Sequence, residues 1–196
     1  MLYTIVQDAN HYRSFIWDDA QITRLVGDAD MELRIDMWNS PKSFKGLFKE
    51  ALNVSFTPLS KNAESLAIPD ISVAQGRLFL NPKAYRLLEP IIREDGEFLP
   101  LKYEHGEAYL FNPLRVAEKA GALNQQLSTK NEWGDLENLS FHEDKVKDWS
   151  LFRCEYDVYM SLNCREDIKQ VIETNELNGV FFTENLGTIY SNQFDE

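Results

Sequence analysis

The sequence predicts an α+β fold, a mixed or largely antiparallel sheet with amphipathic helices packed on it. Three observations carry that prediction. Alternating runs with one apolar and one polar face occur at Met31–Trp38 and Phe152–Leu162, the period of a half-buried strand. A Ser or Asn cap followed by about three turns of amphipathic helix recurs at Ser40, Asn81 and Asn163. Each such helix then leads through a polar or glycine turn into another apolar run, which makes a recurring strand-helix-strand unit. At 196 residues the chain can bury one core as a single globular domain, 1–196. The alternative is two packed lobes, an N-terminal one over 1–66 and a second over 67–196.

The elements follow in order. Leu2–Val6 reads as a short strand and Tyr12–Trp17 as a second. After Met31–Trp38, Ser40 caps a helix with Pro41 at its first position, burying Phe44, Leu47, Phe48, Ala51 and Leu52 and exposing Lys42, Lys45 and Lys49. Val54 and Phe56 begin a strand, and 58–76, with Pro58, Pro69 and Gly76, reads as a loop-rich connection. The strongest block is 78–111. Asn81 caps a helix with Pro82 at its start, Ala84, Leu87, Leu88 and Ile91 form its apolar face, and Pro90 kinks or ends its last turn. Asp95-Gly96 then turns the chain into a hairpin of Phe98–Tyr103 and Ala108–Phe111. Asn112-Pro113 opens a short helix over Leu114–Ala120, stopped by Gly121. The stretch 124–138 is polar and without period, an exposed loop in which Trp133 is out of keeping. Phe152–Leu162 reads as one strand, with Phe152, Cys154, Tyr156, Val158, Met160 and Leu162 on its buried face. Asn163 and Glu166 start the last helix in the manner of a capping box, Ile168, Val171 and Ile172 bury, Gly179 ends it, and Val180–Thr183 is a final strand.

Composition narrows function. No run approaches the 18 or more apolar residues of a membrane helix, and the first residues have no basic, signal-like start, so the cytoplasm is expected. If Phe152–Leu162 is extended, Cys154 and Cys164 lie about 26 Å apart, beyond disulfide reach, and stay free. Cys164, at a helix start, is read as a packing residue. The net charge is −12, and residues 128–196 hold 6 Lys/Arg against 15 Asp/Glu. Such a surface repels nucleic acid and anionic lipid and attracts a basic partner.

The motifs of catalysis are missing. There is no GxGxxG, GxxxxGK[ST] or GxSxG and no pair of CxxC. His142-Glu143 opens like a zinc-protease helix, but Val146 stands where the second His belongs. Asp28, Asp30 and Glu32 alternate like a calcium loop, yet Leu33 takes the glycine position. His105 belongs to a hairpin turn. No enzyme activity, metal or cofactor is expected. What remains is the acidic run Glu132, Asp135, Glu137, Glu143, Asp144, Asp148, Glu155 and Asp157, with Trp133 and Trp149 as aromatic anchors. It reads as either a solvated face or a binding surface for a partner protein.

The succession LFLNPKAYRLLEPI, EFLPLKYEHGEAYLFNP, ALNQQLS, then FHEDKVKDWSLFRCEYDVYMSLNCREDIKQVIETNELNGVFF resembles immunity protein family eleven of bacterial polymorphic toxin systems, over roughly 68–182. The resemblance rests on Leu78–Leu88, Leu99–Leu101, Trp149–Arg153 and Leu177–Phe182, which are packing and turn positions. It implies a cytoplasmic, non-enzymatic inhibitor that binds a co-encoded toxin by direct contact, and the acidity of the chain makes a basic toxin the expected partner. An acidic adaptor or scaffold is the alternative, and an enzyme without a recognisable motif the last.

Overall fold

Residues 1–27, 41–58 and 64–189 are described in the computed structural model of the chain. They form an α+β architecture built on a four-stranded sheet, a mixed six-stranded sheet and a small two-stranded ribbon. The strands are β1 (Leu2–Gln7), β2 (Ile16–Trp17), β3 (Leu52–Ser55), β4 (Ile71–Ala74), β5 (Arg77–Leu80), β6 (Gly96–Tyr103), β7 (Gly106–Pro113), β8 (Thr129–Lys130), β9 (Leu136–Asn138), β10 (Leu151–Phe152), β11 (Leu162–Arg165) and β12 (Val180–Thr183). The helices are α1 (Asp19–Val26), α2 (Pro82–Ile92) and α3 (Glu166–Thr174). The four-stranded order is β10-β11-β1-β12, and the six-stranded order is β2-β3-β6-β7-β5-β4. Among the strands of the described residues, only β3 and β6 pair in parallel. The N-terminal strand β1 sits between β11, which pairs with Leu2–Ile5, and β12, which pairs with Thr4–Gln7, so it is held on both sides by the last part of the chain.

Strand periodicity explains how the six-stranded sheet takes two cores. Phe79, Leu99, Leu101, Ala108 and Leu110 face one cluster with Phe15, Ile22, Phe44, Val54 and Phe56. The alternate positions Leu78, Leu80 and Phe111 face the other, with Ala84, Leu88 and Ile92 of α2, Ile168 and Ile172 of α3, and Tyr3, Ile5 and Leu162 of the second sheet. A third cluster, of Leu2, Ala117, Ala122, Leu139, Phe141, Val146, Phe152 and Cys154, lies beyond β1 and β10.

The block 78–111 folds as strand, capped helix and hairpin, as expected. The Asn81 side chain accepts from the Ala84 N–H, Pro82 occupies the first position, and α2 continues through Pro90 to Ile92. The hairpin β6–β7 is in register from Gly96↔Pro113 to Tyr103↔Gly106. Asn112 and Pro113 complete β7 rather than starting a helix; Asn112 is buried and bridges Arg77, Glu97 and the Lys42 carbonyl. The following helix shrinks to a 3-10 turn at Ala117–Ala120, closed by Gly121.

Three expectations are overturned by tertiary contacts. No helix forms over the described part of 40–52. The Glu97 carboxylate takes the Phe44 N–H at 2.6 Å and the Ser43 hydroxyl, Gly46 enters the left-handed region, and Leu52 joins β3 opposite Leu101. Phe152–Leu162 is not one strand. The Glu118 carboxylate captures the N–H groups of Glu155 and Tyr156, the chain turns at Val158-Tyr159, and it doubles back so that Leu151 pairs with Cys164. The expected span between Cys154 and Cys164 therefore does not exist. Both are nevertheless free and buried, because they enter different clusters. Asn163 is not a helix cap but a buried β11 residue accepting from the Thr4 hydroxyl; Arg165 precedes α3, with no side-chain cap bond. Helix α1, capped by Asp18, and strand β4, inside the expected loop 58–76, were not anticipated. Met31–Trp38, Ser40 and the Asp28, Asp30 and Glu32 triplet lie outside the described residues.

Asp95 joins these layers. Its carboxylate accepts the N–H groups of Ser150 (2.7 Å) and Leu151 (3.0 Å), and its carbonyl those of Leu114 and Arg115. Arg115 Nε stands 3.4 Å from the same carboxylate. Burial pushes the Asp95 carboxyl above its ordinary range, against the pull of the Leu151 and Ser150 N–H groups and of Arg115. A carboxyl raised in the folded state contributes stability that is full below its unfolded pKa and is lost as pH rises through its folded pKa. The stability advantage of wild type over Asp95→Asn is therefore expected to shrink as pH rises through and above the ordinary carboxylate range in urea titrations; an advantage that grows with pH would mean that the charge-stabilising contacts outweigh burial. Leu88→Ala and Ile172→Ala are each expected to lower stability by about 2–5 kcal/mol, and unchanged urea midpoints would contradict the packing assigned to α2 and α3.

Candidate binding surface

The polar stretch 124–138 is a hairpin. β8 and β9 pair from Thr129↔Asn138 to Lys130↔Leu136, and the tip is organised by one side chain. Asn131 Oδ1 accepts from the N–H groups of Trp133 (3.0 Å) and Asp135 (2.8 Å), while its Nδ2 donates to the Asp135 carboxylate. Asx geometry of this kind fixes a turn without a core. The base is anchored by Leu136, which packs into the third cluster, and by Asn138 Nδ2 donating to the Leu127 carbonyl. Trp133 is thus held outward on an ordered tip, 78% exposed.

Beside the hairpin lies the loop 154–161. Tyr156 links the two: its hydroxyl donates to the Ser128 carbonyl, and Lys130 Nζ sits 4.7 Å from its ring centroid. The loop is pinned underneath. Buried Arg153 donates from Nε and a terminal nitrogen to the Tyr159 carbonyl at 2.9 and 2.6 Å, and Asp157 accepts from the N–H and hydroxyl of Ser161. The β4–β5 turn presses on the same point, since a Cβ on Gly76 (φ +67°) would meet Arg153 Nε and the Tyr159 carbonyl at 2.6 Å. Only glycine fits there.

The ten acidic and aromatic residues singled out by sequence divide into outward and inward sets. Glu132, Trp133, Asp135 and Glu137 are exposed on the hairpin, Glu143, Asp144 and Asp148 on the following segment, and Glu155 on the loop. Glu143 pairs with the Met1 amino group at 3.2 Å. Asp157 is turned inward beside Arg153, and burial raises its carboxyl pKa. Trp149 is half-buried against the third cluster, under the Arg115 guanidinium at 5.4 Å and near Phe152. Eight of the ten thus face solvent, while Trp149 and Asp157 make contacts inside the fold. Val158, expected on a buried strand face, is instead 57% exposed; no sequence signal marks a valine that adopts a left-handed turn.

The remaining reactive groups are occupied. The Cys154 thiol donates to Glu118, and burial followed by that carboxylate pushes its pKa up; burial does the same to Cys164. Val146, where a zinc-protease His would stand, is core. His105 is in the β6–β7 turn, as expected, beside Tyr103. A recess of about 340 Å³ is lined by Phe44, Phe48, Leu52 and Phe98. Its carboxylates are engaged, Glu97 by Ser43, Phe44 and Asn112, and Glu50 by Arg24 and Gln21. Among the described residues no three His, Cys, Asp or Glu come together as metal ligands, and no helix is long and apolar enough to cross a membrane.

No model of a known protein family matches the chain, and no curated protein is detectably similar to it.

Of the four tryptophans, Trp133 and Trp149 are separable in solution. Trp133→Phe is expected to lower the acrylamide-quenchable fraction of the fluorescence and leave the urea midpoint within about 0.5 kcal/mol, whereas Trp149→Phe should raise that fraction and destabilise. Equal quenching in both variants would contradict the assigned exposures.

Proposed function

We propose that this chain is a binding protein, an immunity protein that neutralises a co-encoded bacterial toxin by direct contact in the cytoplasm, without chemistry of its own. The observation that supports binding best is the ordered hairpin tip, which holds a large aromatic side chain in water among Glu132, Asp135 and Glu137. An exposed tryptophan on a rigid element is a poor use of apolar surface for folding and a good anchor for a partner. The acidity of 128–196 selects a basic partner and disfavours nucleic acid and anionic lipid. The immunity assignment itself rests on the resemblance of 68–182 to family eleven.

The division of labour follows from charge and burial. Exposed carboxylates act at a distance and set how fast the partners meet; a desolvated aromatic sets how long they stay together. An ordinary interface of about 1,600 Å² in total would extend from the hairpin over neighbouring exposed residues. Asp144→Lys combined with Asp148→Lys is expected to slow association with the purified co-encoded toxin at low salt, with no change in melting temperature and little effect at high salt. Trp133→Ala should shorten the lifetime of the complex. A double charge reversal that leaves the low-salt association rate unchanged would remove the acidic segment from the docking surface.

A further inference from the structure

Three times among the described residues the chain ends a helical turn with the same pair of backbone bonds, the sixth residue's N–H to the first carbonyl and the fifth's to the second. Ala122 and Gly121 bond to Ala117 and Glu118, Leu177 and Glu176 to Ile172 and Glu173, and Tyr159 and Val158 to Cys154 and Glu155. The fifth residue must adopt a left-handed conformation, and glycine is the usual occupant. Gly121 (φ +64°) satisfies this, and Glu176 (φ +50°) is an unbranched surface residue. The third position is Val158 at φ +57°, followed by Tyr159 at +61°. A β-branched residue is the least suited to this region, because both γ-carbons crowd the backbone.

Packing does not compensate, since the Val158 side chain is 57% exposed. The strain is imposed from below: Arg153 grips the Tyr159 carbonyl, Asp157 grips Ser161, and Glu118 grips the N–H groups of Glu155 and Tyr156. A local conflict that the fold maintains without stability in return points to function. The location agrees. Leu127, Trp133 and Val158 are three of the four large apolar residues exposed among the described ones, and they lie on two adjoining loops joined through Tyr156.

We infer that Val158 is a partner-contact residue, presented by its strained turn, and that with Leu127 and Trp133 it forms the apolar part of a surface covered by a basic protein whose apolar pocket is rimmed by Lys and Arg. The inference rests on the binding function proposed above. The choice of occupant follows from charge: Glu132, Asp135 and Glu137 are exposed on the hairpin that carries Trp133 and Glu155 on the loop that carries Val158, which favours a cationic rim and disfavours a second copy of a chain of net charge −12.

The test is Val158→Gly in the full chain, with Val158→Ile as its control and the purified product of the adjacent toxin gene as probe. Glycine relieves the turn and removes the contact, so the variant is expected to melt higher than wild type and to dissociate from the toxin about ten-fold faster, while isoleucine keeps wild-type dissociation. If wild type binds, Trp133→Ala weakens binding and Val158→Gly dissociates at the wild-type rate, the Val158 inference is overturned and the binding function stands. If wild type does not bind the toxin, both fall. A Val158→Gly chain that melts lower would refute the strain argument. Self-association of wild type that is lost in Val158→Gly would assign the surface to a second copy instead.

Discussion

The carboxylate of Asp95 sits where α2 ends and β6 begins, and four backbone N–H groups converge on this one residue: Ser150 and Leu151 on its side chain, Leu114 and Arg115 on its carbonyl. Through them the six-stranded sheet is tied to the first strand of the four-stranded sheet and to the segment that leads into the third cluster. Removing a buried acceptor of this kind leaves donors unsatisfied and costs more than the bonds contribute. Because Leu151 is held there, β10 can pair with β11, and β11 can in turn receive β1. The second tie runs through Gln7, whose side-chain Oε1 accepts from the Ser72 hydroxyl and the Val73 N–H and fixes β1 against β4.

This arrangement determines which charged groups remain for a partner. Arg77 and Arg153 are fully buried, and burial lowers the Arg77 pKa to about 9, with help from Arg153, and that of Arg153 to about 10, leaving both cationic at neutral pH. They are held by Asn112, by backbone carbonyls and by the rings of Phe44 and Tyr159. Two cations are thereby withdrawn from the surface. Glu118 and Asp157 are likewise withdrawn, one organising the loop 154–161 from below and the other from within. The hairpin and the segment after it keep their carboxylates in water.

Much of the framework was legible in the sequence because it depends on local chemistry. Asn81-Pro82, the three- and four-residue spacing of Ala84, Leu87, Leu88 and Ile91, the Asp95-Gly96 turn and the period-two β6–β7 hairpin are each determined by residues within a few positions of one another. The oddity of Trp133 in a polar stretch was legible for the same reason. The strand-helix-strand unit holds at β5-α2-β6 and β11-α3-β12, although Asn163 is used as a buried β-residue there. The acidity of the last third and the missing catalytic motifs required no structure at all.

What only the tertiary structure decided involves side chains that reach distant backbone. Glu97 captures Phe44 from 53 positions away and keeps 41–50 from coiling; Glu118 captures Glu155 and Tyr156 and breaks an alternation that would otherwise read as one strand. The fates of Trp149, drawn under Arg115, and of Val158, forced outward into a left-handed turn, follow from the same contacts. Sequence periodicity reports how a segment would divide apolar from polar surface if left regular. A half-buried carboxylate that can satisfy two free donors of a distant segment at once outweighs that preference, and its target is set by the fold and not by its neighbours in the chain.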